Sequence, residues 1–242
     1  MKTVGPRADV TSVQGVSDRT VLVTGGTGGL GAAVTRAFLE DGWRVVVPWI
    51  AERELERVER HERLELVQAD LFDADAVARA VQTAGPSLRA LVNLVGGFAI
   101  HERLHETPVE TFEEQLRLNL RPAYLVCHAA IPHLQAAGGG AIVCVSSRAA
   151  RRPFPGAAGY VVSKAAVLAL VDALDAEYRK DRVRVNAVLP SVIDTPANRA
   201  STPDADFDTW VRPDQIASVI RFLCSDDASV TSGAHIPVYG LA

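Results

Sequence analysis

Short β-branched runs alternate with helical stretches from Thr20 to Val238, and this alternation restricts the chain to a small set of folds. Thr20–Val23, Arg44–Val47, Leu64–Gln68, Ala90–Leu94, Ala141–Ser146, Arg184–Leu189 and His235–Val238 read as strands. Between them, Gly29–Asp41, Ala51–His61, Ala74–Ala84, Ala157–Lys180 and Pro213–Cys224 read as helices, and Pro108–Ala137 is long enough for one extended helix or a broken pair. Most of the strands are nearly continuous apolar runs, the pattern of strands buried on both faces of a parallel sheet. Right-handed crossovers then wind helices onto both faces. The expected fold is α/β, a doubly wound parallel sheet in one domain over residues 19–242. Residues 1–18 mix Gly, Pro and charges without an apolar run, so they are expected to form a flexible arm and not a secretory signal.

Composition narrows the function. Of 242 residues, 48% are hydrophobic, which suffices for a substantial core and argues against a disordered chain. Lys and Arg number 25 against 29 Asp and Glu, a net charge of −4, with none of the basic excess of a nucleic-acid binder. No apolar run approaches the ~18 residues of a membrane span. Three separated cysteines, Cys127, Cys144 and Cys224, form neither a disulfide framework nor a CxxC metal pair, which points to a reducing, cytoplasmic setting.

The segment Thr24-Gly25-Gly26-Thr27-Gly28-Gly29-Leu30-Gly31 follows the first strand and opens the first helix. Glycines let backbone N–H groups close on a pyrophosphate, and the helix N-terminus adds partial positive charge. The loop lies where a doubly wound sheet binds its ligands, at the carboxyl ends of the strands. An ordinary strand–helix turn is the bland alternative.

In this loop the chain resembles the short-chain dehydrogenase/reductase family, whose Thr-Gly-x-x-x-Gly-x-Gly pattern is matched at Thr24, Gly25, Gly29 and Gly31. The likeness runs from about Thr20 to Tyr239 and implies a Rossmann-type sheet and a nicotinamide cofactor, NAD or NADP. It implies cofactor contacts from Gly25, Thr27, Gly28, Gly29, Leu30 and Gly31, and from Asp70 and Leu71 on the adenine side. The family's Asn-Asn-Ala-Gly appears here as Asn93-Leu94-Val95-Gly96, with the second Asn lost, so Asn93 and Gly96 carry that contact only in part. After the sixth strand, Pro190, Ile193 and Thr195 match the residues that meet the nicotinamide, with Ser191 in place of the usual Gly. Asp70 also reads as a helix cap ahead of Ala74. The choice between NAD and NADP stays open. Trp49 stands where an acid would select NAD, and Arg53, one turn on, either swings towards an extra phosphate or pairs with a neighbouring Glu.

Tyr160 and Lys164 are four residues apart, on one face of the expected helix. A phenol of pKa near 10 needs a nearby cation to work as an acid–base group near neutrality. The pair alone is a common pattern. The resemblance adds Ser147, thirteen residues before Tyr160, and Asn119 in the long helix, giving a tetrad of Asn119, Ser147, Tyr160 and Lys164. Ser146 competes with Ser147 for the serine role. The tetrad implies hydride transfer to or from a carbonyl or alcohol of a small organic molecule. Tyr160 would act as general acid–base, Ser147 would position the oxygen, and Lys164 would tune Tyr160 and also hold the cofactor.

Other features point less sharply. Asp194–Trp210 and Gly96-Gly97-Phe98 are similar to stretches of dihydropteridine reductases, although that branch lacks the Ser147 counterpart. A dinucleotide sensor without turnover is a further alternative, against which both Tyr160 and Lys164 count. Pro196–Arg212 reads as a small lid, and Phe98, Phe154, Phe207 and Trp210 either line an apolar pocket or belong to the core. Arg148, Arg151 and Arg152 lie near the expected pocket mouth or in a solvated loop. His101 and His105 have metal-ligand spacing but no further ligand, so no metal is expected. The resemblance implies a homotetramer or homodimer through the two long helices.

Overall fold

The computed structural model describes residues 19–241, so the arm expected at 1–18 lies outside the described residues. One seven-stranded sheet forms in the order β3-β2-β1-β4-β5-β6-β7, with every neighbouring pair parallel. The strands are β1 Thr20–Thr24, β2 Arg44–Trp49, β3 Leu64–Gln68, β4 Leu88–Asn93, β5 Gly140–Val145, β6 Val183–Pro190 and β7 His235–Val238. The helices are α1 Gly29–Glu40, α2 Ala74–Ala84, α3 Val109–Ala136, α4 Ala158–Tyr178, α5 Pro196–Ser201 and α6 Pro213–Cys224.

Alternate residues of the central strands feed two cores. Val21, Val23, Val45, Val47, Val92 and Val143 pack under α1 and α6 together with Phe38 and Ile220. Leu22, Val46, Leu91, Ile142 and Val185 pack under α2, α3 and α4 with Val81, Leu134 and Val171. Burial on both faces is why β1 reads as unbroken apolar and β-branched residues rather than alternating ones. The edge strand β3 is half-exposed, as its Glu65 and Gln68 require. Among the described residues no helix is long and apolar enough to cross a membrane.

One expected element changes and one open alternative is decided. The charged helix over Ala51–His61 reduces to a 3-10 segment, Glu52–Arg57. That stretch carries only Leu55 and Val58 as large apolar groups, too little to anchor a short helix to the sheet. The extended Pro108–Ala137 segment is one helix, α3, which runs through Pro122 and Pro132 without breaking.

The order reverses between β1 and β4, from which the chain runs outward to β2 and β3 on one side and to β5, β6 and β7 on the other. A cleft therefore opens above their carboxyl ends, between the glycine loop after β1 and the Leu94–Gly96 turn after β4. A Cβ on Gly25 would lie 3.3 Å from Val95 N, so the two turns are in contact.

Candidate active site

The glycine loop is sterically determined. Gly25 sits at φ +67°, and a Cβ on Gly31 would stand 1.9 Å from the Gly25 carbonyl oxygen. A Cβ on Gly29 would stand 2.8 Å from Thr195 Cγ2, so the loop reaches across to the segment after β6. The N-cap of α1 is Gly28, which supplies no side-chain cap, and the first turn of α1 holds no acid. Its free N–H groups and dipole suit a dinucleotide pyrophosphate. Leu30 faces the core under α1.

The adenine-side groove, of about 360 Å³, runs from Gly25, Thr27 and Gly28 past Trp49 to Asp70 and Leu71. Thr27 is buried, and its hydroxyl donates to Glu54 Oε2 at 2.9 Å. Glu54 is a residue that the sequence reading missed, because only the 3-10 segment turns it back over the loop. Arg53 does not line this groove. Asp70 accepts from Phe72 N at 2.9 Å, while Asp73 caps α2 by accepting from Asp75 N and Ala76 N. The helix-cap reading of Asp70 therefore passes to Asp73, leaving Asp70 exposed at the groove edge.

The expected tetrad converges. Ser147 and Ser146 follow β5 and separate in role. Ser146 Oγ donates to Lys164 O at 2.7 Å and is buried, whereas Ser147 Oγ accepts from Ala149 N and lies beside the Tyr160 phenol. Asn119, buried in α3, accepts from Gly97 N at 3.0 Å and donates to Gln115 O at 3.1 Å. Gly96 is wedged between two tetrad members. A Cβ there would lie 2.5 Å from Asn119 Oδ1 and 2.9 Å from Lys164 Nζ. Asn93, by contrast, turns inward, donating to Cys127 Sγ at 3.3 Å and accepting from Thr24 Oγ1 at 3.4 Å.

Burial sets the titration of the tetrad. Lys164 is fully buried and drops from the ordinary 10.5 to about 8, with its Nζ donating to Val145 O at 3.2 Å. Burial pushes the Tyr160 phenol up, and the Ser147 hydroxyl opposes that rise. The sequence led to the expectation that the Lys164 ammonium, together with the nicotinamide cation of the oxidised cofactor, lowers the phenol. In the protein by itself Lys164 donates to Val145 O, and the Ser147 hydroxyl is the group that lowers Tyr160.

Aromatic rings border the phenol. Phe98 meets Tyr160 edge-on at 4.9 Å and lies 6.3 Å from Phe154. Phe98 is 59% exposed and Phe154 40%, so they form an apolar rim and not core. Phe207 and Trp210 pair elsewhere, 4.9 Å apart, with Trp210 buried. Pro190 closes β6, and Ser191 Oγ donates to Tyr239 O at 2.6 Å, a link that a glycine could not make. Thr195 caps α5 by accepting from Asn198 N, and Ile193 O accepts from Asn198 Nδ2. The three arginines meet residues of the C-terminal segment. Arg148 and Arg152 sit 6.0 Å from the Tyr239 ring, and Arg151 bonds His235 Nδ1. His101 and His105 lie on a loop before α3, and no cluster of three metal-ligating side chains occurs among the described residues. A larger cavity of about 1210 Å³, lined by Arg19, Arg89 and Arg184, opens at the opposite end of the strands and touches none of these groups.

An uncapped helix N-terminus at the switch point of a parallel sheet, with a part-buried Tyr160 beside buried Ser147, Lys164 and Asn119, defines a dinucleotide-dependent oxidoreductase. Residues 25–240 match the family described as Enoyl-(Acyl carrier protein) reductase. The chain is 31% identical to 2-(R)-hydroxypropyl-CoM dehydrogenase of Xanthobacter autotrophicus, covering 92% of this chain and 97% of that protein. It is 33% identical to cis-4-hydroxycyclohexanecarboxylate dehydrogenase of Sinomonas cyclohexanicum, covering 93% and 96%. A short-chain type dehydrogenase/reductase structure from Mycobacterium ulcerans superposes with a TM-score of 0.85 at 27% identity, over 93% of this chain and 90% of that one. The chain belongs to the short-chain dehydrogenase/reductase family. It is an NAD(P)-dependent oxidoreductase acting on alcohol or carbonyl groups.

Proposed function

We propose that the protein interconverts a small organic ketone or aldehyde and its alcohol, with Tyr160 as general acid–base. The observation that carries this reading is the pairing of the Ser147 hydroxyl with the Tyr160 phenol, one helical turn from Lys164, which meets Asn119 at Gly96. Gly25, Thr27, Gly28, Gly29, Leu30 and Gly31 would hold the pyrophosphate. Trp49, Asp70 and Leu71 would border the adenosine, and Asn93 the floor of the cleft. Pro190, Ile193 and Thr195 would meet the nicotinamide. When bound, that ring supplies the hydride in reduction and takes it up in oxidation. Tyr160 gives its phenolic proton to the substrate oxygen in reduction and recovers one in oxidation. Ser147 holds the same oxygen, so charge developing on it meets a fixed donor. Lys164, titrating at about 8, exchanges protons near neutrality and passes them towards Asn119 on the far side of Gly96. Phe98 and Phe154 present an apolar rim to the substrate body. Ser147 beside Tyr160 favours carbonyl chemistry over the pteridine reading, and an intact Tyr–Lys pair favours turnover over a sensor. The free, buried cysteines fit a cytoplasmic enzyme, and α3 and α4 would form the contact of a homodimer or homotetramer.

The test is a screen of alcohols and ketones with both nucleotides, run beside Tyr160→Phe. Losing the proton donor should lower kcat by about 10³-fold, within the usual range for general acid–base catalysis, while leaving nucleotide Kd within ~2-fold. Retained turnover in Tyr160→Phe would overturn the mechanism.

A further inference from the structure

Trp49 occupies the end of β2, where an acid would read the adenosine ribose, and the sequence alone supplies neither an acid nor a base there. The structure supplies one from elsewhere. The 3-10 segment Glu52–Arg57 begins with Glu54 N donating to Ala51 O, and this turn carries the Glu54 side chain back over the glycine loop. Its Oε2 is fixed by the Thr27 hydroxyl, and the residue lines the groove beside Trp49 and Ile50. Asp70 lies along the same groove. Among the described residues, no Lys or Arg lines it.

We propose that Glu54, held by Thr27, makes this enzyme select NAD(H) over NADP(H). The inference rests on the dinucleotide reading above and deepens it. A carboxylate accepts strong hydrogen bonds from ribose hydroxyls. The extra 2′-phosphate of NADP carries about −1.5 to −2 charge and would enter a groove lined by two carboxylates and, among the described residues, by no cation. Like charges at this range repel, and no Arg among the described residues lines the groove to offset the desolvation of the phosphate. Thr27 matters because its hydrogen bond holds one carboxylate oxygen over the loop, so that swinging out to relieve the repulsion would cost that bond. The other oxygen is the one that would accept from the ribose. Arg53, on the same segment, stays out of the groove.

Calorimetric titration of the full chain with NADH and with NADPH tests this without any substrate. The wild-type protein should bind NADH at least ~10-fold more tightly, the equivalent of about 1.4 kcal/mol. Glu54→Gln keeps an oxygen for Thr27 and removes the charge, so the preference should shrink several-fold, chiefly through tighter NADPH. A measurement that needs no variant is the salt dependence. Raising ionic strength screens the repulsion and should narrow the wild-type ratio. Equal or tighter NADPH binding by the wild type overturns the inference but leaves the proposed function standing, as does a Glu54→Gln ratio that does not move. Binding of neither nucleotide overturns the dinucleotide reading, and the inference with it. Tyr160→Phe probes the mechanism separately, because it should leave the nucleotide ratio intact.

Discussion

At the Tyr160 end of the cleft, three of the four tetrad groups are buried and held by backbone, and Tyr160 is held by the Ser147 side chain. Asn119 is fixed between Gly97 N and Gln115 O, Lys164 by Val145 O, and Ser147 by Ala149 N. At the adenine end, Trp49 and Ile50 stand at and just past a strand tip, and Glu54 on a six-residue 3-10 segment, with a single side-chain bond from Thr27 to Glu54. The contrast follows from what each end must do. Proton transfer requires donors placed to fractions of an ångström, so its groups come from long helices and core strands that cannot shift singly. Choosing between two nucleotides requires only the right sign of charge near one hydroxyl, which a surface turn can deliver.

The largest expected effect tests the rigid end. Lys164→Met should lower kcat by about 10³-fold, because it removes both the proton carrier and the cation of the tetrad. A loss below tenfold would show that this end is not the catalytic one. Next comes Gly96→Ala. Its Cβ would meet Asn119 Oδ1 at 2.5 Å and Lys164 Nζ at 2.9 Å, and Asn119 is tied at both ends. Displacement on this scale should lower kcat by about 10²-fold. Steady-state kinetics showing a normal kcat would mean that the tetrad is looser than its contacts imply.

A stability measurement sharpens the same end. The folded Lys164 titrates at about 8 and the unfolded one at the ordinary 10.5, so between those values the unfolded chain binds more protons. The penalty of burying the ammonium is fully present below pH 8 and is relieved as pH rises towards 10.5. Denaturant unfolding of wild type and Lys164→Met should therefore diverge in the wild type's favour by up to ~3 kcal/mol over that range. A difference that stays flat with pH would remove the buried ammonium from the account. The smallest effect belongs to the open end. Trp49→Ala should weaken NADH binding about fivefold, the scale of one aromatic contact, with kcat unchanged. A large fall in kcat there would erase the distinction between the two ends.

What could be read in the sequence followed the same division. The alternation of apolar strands and helices gave the parallel sheet because strands buried on both faces leave no polar positions to obscure the pattern. The glycine loop and the Tyr160–Lys164 pair were legible because their constraints are local: a positive φ at Gly25, a backbone contact at Gly31, one turn of α4. Ser147 was preferred for its spacing from Tyr160, with the adjacent Ser146 as its competitor. Only the packing of β5 against α4 sent one to Lys164 O and the other to Tyr160.

The remainder was decided by tertiary structure, where groups distant in sequence meet. Pairing Asp70 with the cap of α2 was one residue-set off, since Asp73 reached the free N–H groups first. The arginines after Ser147, which the sequence leaves between the pocket mouth and a solvated loop, meet Tyr239 and His235, more than eighty residues on. Glu54 had no motif to announce it. The chain by itself determined the sheet, the loop and the catalytic pair, because hydrophobic periodicity and backbone sterics act over a few residues. Which carboxylate stands over the glycine loop, and which cation faces Gly96, was settled only when the 3-10 segment closed over that loop and α4 packed against β5 and β6. Electrostatics depends on distance in space, which sequence separation does not encode.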